Sequence, residues 1–269
     1  MYYELSNLGL IKIQGNDTKK FLQGQLTCDV EAITTENSSM GAHCNPQGRI
    51  ISLFYLFLFD ENYYLLMQSS MIPVAMSALK KYAVFFKVEL SDASHEFMIL
   101  GCHDINPLST QHVARIPVAS DSSRFMLAGT AAAMKMIKEQ ITEPSHLASP
   151  DAWTCLDIHD GIPAIYPETS AKFLPHELNL DKLNAISFDK GCYTGQEIIA
   201  RMHYRGKLKN RMYITDVSSA SIPQRGTELD NQTEASEWTG GTIVDVCHDV
   251  YNNKYHVLIV ANEQMKRGI

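Results

Sequence analysis

The sequence predicts a chain of mixed structure, α+β or α/β over its first two hundred residues, followed by a small all-β unit. Three observations carry this. Up to residue 208, β-branched and aromatic runs interleave with stretches of helical periodicity. From Lys209 onward only short β-type runs occur. No internal repeat or low-complexity tract breaks either part. The boundary falls near residue 208, giving units 1–208 and 209–269, the second read as a small β-barrel or sandwich.

The elements follow in order. "IQGNDTKKFLQGQLTCDV" (13–30) reads as a strand end and a helix capped by Asn16 or Asp17, with Phe21, Leu22 and Leu26 on its apolar side. "RIISLFYLFLFDENYYLLMQ" (49–68) is β-rich around an Asp-Glu-Asn turn, the pattern of a hairpin. "VAMSALKKYAVFFK" (74–87) has helical spacing and leads into the strand "KVELSD" (87–92). "RFMLAGT" (124–130) and "AAAMKMIKEQI" (131–141) form another strand–helix pair. In the last unit the β runs are "RMYITDV" (211–217), "TGGTIVDVCHDV" (239–250) and "KYHVLIVAN" (254–262), with "YNNK" (251–254) as a turn.

Composition narrows the class. Of 269 residues 45% are hydrophobic and 20% charged, an ordinary globular balance. The longest apolar run, "IISLFYLFLF" (50–59), stops at Asp60, short of a membrane span. The N-terminus lacks a basic flank, a long apolar stretch and a small-residue cleavage site, so it is not read as a secretory signal. Cys28, Cys44, Cys102, Cys155, Cys192 and Cys247 are scattered without a CxxC, which fits free thiols in a cytoplasmic protein rather than a disulfide framework. The net charge of −7 disfavours bulk electrostatic binding to nucleic acid.

One thiol stands apart. "DKGCYTGQEIIARMHYRGK" (189–207) places Cys192 ahead of Thr194-Gly-Gln-Glu197, a capping-box pattern, with the apolar face Ile198, Ile199 and Met202 behind it. A cysteine before a helix N-terminus and beside Lys190 is set for thiolate character, whereas most free cysteines are buried hydrophobes. The other five lack such surroundings. His43-Cys44, Cys102-His103 and Cys247-His248 are not read as metal sites, because adjacent strand residues face opposite ways. His203 lies too far along the helix to pair with Cys192.

"KGCYTGQE" (190–197) resembles the K-G-C-Y-x-G-Q-E signature of the YgfZ family, folate-binding proteins related to the aminomethyltransferase T-protein of glycine cleavage. "FLQGQLTCDV" (21–30), "HCNPQGRI" (43–50), "GIP" (161–163) and "FLPHELNLD" (173–181) match the family in order. The resemblance implies an α+β, aminomethyltransferase-like folate-binding domain followed by a small C-terminal β-barrel. It also implies an accessory protein that binds tetrahydrofolate or a one-carbon derivative and supports iron–sulfur cluster assembly or repair, and through it tRNA-modifying enzymes. Cys192 and Lys190 carry over as the functional pair.

A folate needs apolar walls for its pterin and cations for its glutamyl tail. Tyr193, Gln196, Glu197, Gln25 and Asn45 are the candidates nearest the motifs, and Lys190, Arg201 and Arg205 are the candidate cations. Where many relatives carry a glutamate before the Gly-Ile-Pro run, this chain has His159, between Asp157 and Asp160; any of the three can take the pterin contact. No catalytic carboxylate of the T-protein kind is evident, so aminomethyl transfer is the rival reading. A tRNA-contacting turn from Arg201 to Arg211 is a third. Iron–sulfur enzymes or assembly factors are the expected partners, tRNA at most an indirect one, with a monomer, no membrane and no bound metal.

Overall fold

The computed structural model describes residues 1–105, 112–118, 123–139, 147–219, 221–229, 237–249 and 252–267. In chain order the elements are β1 (Tyr2–Glu4), β2 (Leu8–Gln14), α1 (Thr18–Gln23), β3 (Ser39–Cys44), β4 (Ile50–Phe59), β5 (Asn62–Gln68), α2 (Ile72–Ala83) and β6 (Glu89–Asp92). There follow β7 (Phe97–His103), β8 (Val113–Pro117), β9 (Arg124–Thr130), α3 (Ala131–Lys138), β10 (Leu147–Ala148) and α4 (Pro150–His159). The last are α5 (Gln196–Arg205), β11 (Asn210–Val217), β12 (Thr242–Asp249) and β13 (Lys254–Asn262). The hairpin expected at 49–68 forms as β4–β5. Asp60 and Glu61 both take positive φ (44° and 62°), the geometry that matches a tight turn to strand twist.

Two five-stranded sheets face each other. One runs β3-β4-β5-β2-β6, antiparallel throughout, and the other runs β10-β1-β7-β9-β8, with β1 and β10 parallel. Alternation along β2 and β5 divides their side chains between two cores. Leu10, Tyr64 and Leu66 meet Ile99, Ile116 and Met126 of the second sheet. Ile11, Ile13 and Leu65 turn the other way, to Phe21 and Leu22 of α1 and Ala75 and Leu79 of α2. A register slip of one residue would exchange the two sets. Each fully buried side chain of this kind contributes about 1.5–3 kcal/mol. On the far face of the second sheet Met134 and Ile137 of α3 cover Leu100 and Leu127.

The C-terminal strands form a three-stranded antiparallel sheet, β11-β13-β12. Leu258 and Val260 join the main core with Met212 and Val244, while Val257, Ile259 and Ala261 pack beneath Leu229 and Trp238. The expected barrel is therefore not seen. Among the described residues the sheet is open, because β11 and β12 flank β13 without pairing with each other, and isolated bridges such as Glu228–Thr242 add only at its margins. Tyr251 of the expected turn, Val250, and Gln140 and Ile141 of the expected third helix lie outside the described residues. No helix among the described residues is long and apolar enough to cross a membrane.

Two local features differ from expectation. Asp17 sits at the start of α1 without capping it, since its carboxylate accepts from Lys87 N (2.8 Å) and so ties the helix to the lead-in of β6. α4 was not anticipated, although Ser149 caps it and Pro150 occupies its first position, both recognised start signals.

Candidate functional site

Three motifs distant in sequence converge at the N-terminus of α5. Lys190 Nζ donates to Leu26 O (2.7 Å) and Cys28 O (2.8 Å) and stands 5.1 Å from the centre of the Tyr193 ring. Thr194 N donates to Gly24 O, and Thr194 Oγ1 bonds Gln25 Oε1 (3.2 Å). Gly195, at φ +85°, abuts the 45–48 turn so closely that a Cβ would stand 2.7 Å from Asn45 O. Gly195 is the N-cap itself, and the anticipated Thr194–Glu197 capping box is absent. Threonine is drawn to Gln25, and Glu197 pairs in solvent with Arg201 (3.3 Å).

This arrangement sorts the residues proposed from sequence. Cys192 is exposed. Lys190 is turned onto the 26–28 segment, and burial draws its ammonium down to about 8. Tyr193 and Gln25 are buried, and burial holds the Tyr193 phenol well above its usual range. Asn45 is a turn residue, its Oδ1 accepting from Arg49 N (2.9 Å). Gln196 begins α5, and Arg201 and Arg205 are exposed along it. These residues build and flank one thiol loop; none of them lines the cavity described next.

Between the two five-stranded sheets lies a cleft walled by Tyr55, Leu66, Met126, Trp153, Asp157 and Ile162. It contains about 560 Å³ of non-atom space but is narrow, with only about 50 Å³ open to the centre of a water molecule. Met40, Met67 and Met126 also line it, and their unbranched chains can yield to a larger ring. Asn7 Oδ1 is buried at its edge with no hydrogen-bond partner among the described residues. Asp157 comes from α4, where Trp153 and Asp157, one turn apart, share the face toward the sheets. Trp153 lies flat over Gly101, where any Cβ would stand 2.5 Å from the indole.

Arg124, 5% exposed, fixes this corner. Its guanidinium bonds Asp157 Oδ1, approaches Asp160 Oδ2 (3.3 Å) and covers the Trp153 ring at 4.5 Å. Burial pushes the Asp157 carboxyl up and Arg124 opposes it. Asp157 Oδ2 carries no hydrogen bond among the described residues. Of the three candidates around the departed glutamate, Asp157 faces the cleft. His159 points to the opposite side, its ring 4.4 Å from that of His256. The walls from Asn7, Tyr55 and Trp153 were not found from sequence, because a turn before β2, the strand β4 and the helix α4, far apart in the chain, supply them; only the cap signal of α4 was available.

The expectation of free thiols fails at one place. Cys155 of α4 and Cys247 of β12 form a disulfide, with 5.4 Å between their Cα atoms. The two lie 92 residues apart, and no spacing rule could have paired them. Cys28, Cys44 and Cys102 are free and buried.

No family model matches the chain. A "tRNA-modifying protein YgfZ" of Photobacterium profundum is 33% identical over 253 residues, 89% of this chain and 77% of that one. The chain belongs to the YgfZ family. A second protein of that name, from Colwellia psychrerythraea, is 34% identical over 78% of this chain and 69% of its own. An uncharacterized protein of Haemophilus influenzae is 34% identical over 90% and 82% respectively. Among solved structures, the glycine cleavage system aminomethyltransferase T of Bartonella henselae superposes with a TM-score of 0.69 over 97% of this chain and 78% of that one. At 13% identity that likeness concerns the fold, and this YgfZ chain is aminomethyltransferase-like in architecture.

Proposed function

We propose that this chain binds a reduced folate with its pterin in the cleft between the two sheets, and acts as an accessory factor for iron–sulfur enzymes, including enzymes that modify tRNA. The observation that carries the folate half is Asp157. Its Oδ2 and Asn7 Oδ1, neither hydrogen-bonded among the described residues, are acceptors set in an apolar, aromatic wall. A pterin presents adjacent N–H donors on a flat ring, which a carboxylate accepts while Trp153 and Tyr55 supply surface. Cys192, on its exposed loop, is the thiol through which the accessory role acts, with Lys190 positioning the loop.

Calorimetry with tetrahydrofolate tests the first half. Wild type and Cys192→Ser bind one equivalent, and Asp157→Asn weakens binding at least about tenfold, the loss of one charged acceptor. Equal affinity in Asp157→Asn removes the pterin assignment. The second half is tested in a deletion strain, where Cys192→Ser restores iron–sulfur enzyme activity poorly while still binding folate. Full restoration makes the cysteine structural.

A second reading has its own observation. Tyr204 is 68% exposed, His203 is exposed and stacks on Phe188 at 3.8 Å, and Arg201, Arg205, Lys207 and Lys209 are exposed around them. Aromatic faces among cations suit unpaired RNA bases, and anisotropy with tRNA that falls steeply with salt supports this contact.

A further inference from the structure

α4 has two working faces. Trp153 and Asp157 turn to the cleft between the sheets, whereas Cys155 and His159, again one turn apart, turn to β12 and β13. On that second side lies a separate, wider cleft, with about 800 Å³ open to the centre of a water molecule. Cys155 and Cys247 both line it, among His159, His248, Tyr255 and His256. The disulfide is therefore reachable by a small solute. It is the one disulfide among the described cysteines of a chain whose other four thiols are free, and the two strand layers already supply large cores. A lone, accessible bond in such a setting has the character of an exchangeable pair rather than a structural framework.

We infer that Cys155–Cys247 is a thiol–disulfide exchange site that takes low-molecular-weight thiols and disulfides of the glutathione class, and that it locks or releases α4. In the reducing direction a small thiolate attacks Cys155 Sγ, the more exposed of the two. The Cys155–Cys247 bond breaks, Cys247 leaves as thiolate and takes up a proton, and a mixed disulfide remains on Cys155. A second small thiol attacks that mixed disulfide, freeing the Cys155 thiol and a small disulfide molecule. The protein gains two electrons and two protons, and two small thiols become one disulfide. Oxidation runs the same steps in reverse. Because Trp153 and Asp157 ride on α4, the state of the bond reaches the cleft on its other face; the effect on folate affinity rests on the reading given above.

The test is a native titration of the full chain in buffers of stepped glutathione to glutathione-disulfide ratio, quenched in acid and alkylated with N-ethylmaleimide. Peptide mapping should show labels appearing on Cys155 and Cys247 together and reversibly, with far-ultraviolet circular dichroism unchanged. Trp153 emission, read in a Trp238→Phe background, should shift at the same ratio. In Cys247→Ala, Cys155 should collect one glutathione adduct, and Cys192→Ser should leave the titration unchanged. The inference is overturned if both thiols are labelled at every ratio, if the bond opens only when the protein unfolds, or if Cys155 takes no adduct in Cys247→Ala. Tetrahydrofolate should bind the reduced form roughly fivefold or more weakly than the oxidised form. No folate binding in either state sinks the folate reading alone, since the label pattern is read without folate.

Discussion

Lys190 offers the sharpest separation between a brace and a ligand contact. Lys190→Met keeps much of the aliphatic stem but removes the donors to Leu26 O and Cys28 O, whose residues are 0% and 2% exposed. Each hydrogen bond from a charged donor is worth about 1.5–3 kcal/mol, and a stranded buried carbonyl costs about 1–3 kcal/mol, offset by release of a poorly hydrated ammonium. A net loss of about 2–4 kcal/mol at neutral pH follows from these terms. For a chain of 269 residues each kcal/mol moves the melting temperature by about 2 °C, so Tm should fall by about 4–8 °C. The pH dependence gives an independent check. Burial lowers the folded-state pKa of Lys190 to about 8 from 10.5, so between those values the unfolded chain binds the extra proton. The associated stability is fully present above 10.5 and is lost as pH falls through 8. Urea unfolding from pH 7 to 10.5 should therefore show wild type gaining on Lys190→Met as pH rises. Equal Tm, parallel pH curves and lost tetrahydrofolate binding would together refute the brace and restore the tail contact.

Three further outcomes follow from the same geometry. Brief substoichiometric iodoacetamide at neutral pH should label Cys192 first among the free thiols, because Cys28, Cys44 and Cys102 are buried and burial pushes Cys28 and Cys102 up to about 12; first labelling at Cys44 defeats the argument. Gly195→Ala should destabilise by about 2 kcal/mol or more, since it combines a left-handed φ with a clash against Asn45 O; a Tm within 1 °C of wild type, roughly the scatter of such scans, contradicts it. His43 is wholly buried with no hydrogen-bond partner among the described residues, and burial lowers its pKa to about 4, so the stability it contributes is present above 6.5 and is lost as pH falls through 4. His43→Leu should flatten the acid limb of the stability curve, and an unchanged limb assigns it elsewhere.

What the sequence determined by itself is local or carried by motif. The β4–β5 hairpin, the helical periods of α2, α3 and α5, and the three C-terminal strands are written in spacing and turn residues, which act within a few positions. "KGCYTGQE" was enough to place the chain in its family. The capping box misled, because a Thr-x-x-Glu pattern cannot reveal that Gln25, far away in the chain, competes for the threonine hydroxyl. Only the tertiary structure decided which face each α4 residue takes. It chose Asp157 over His159 for the cleft, paired Cys155 with Cys247, and turned Lys190 inward onto two carbonyls. Among the described residues it also left the C-terminal sheet open, where alternation along β13 was equally compatible with a barrel. Each of these outcomes depends on groups brought together by packing between layers. Periodicity fixes which side of an element is apolar, but not what that side will meet.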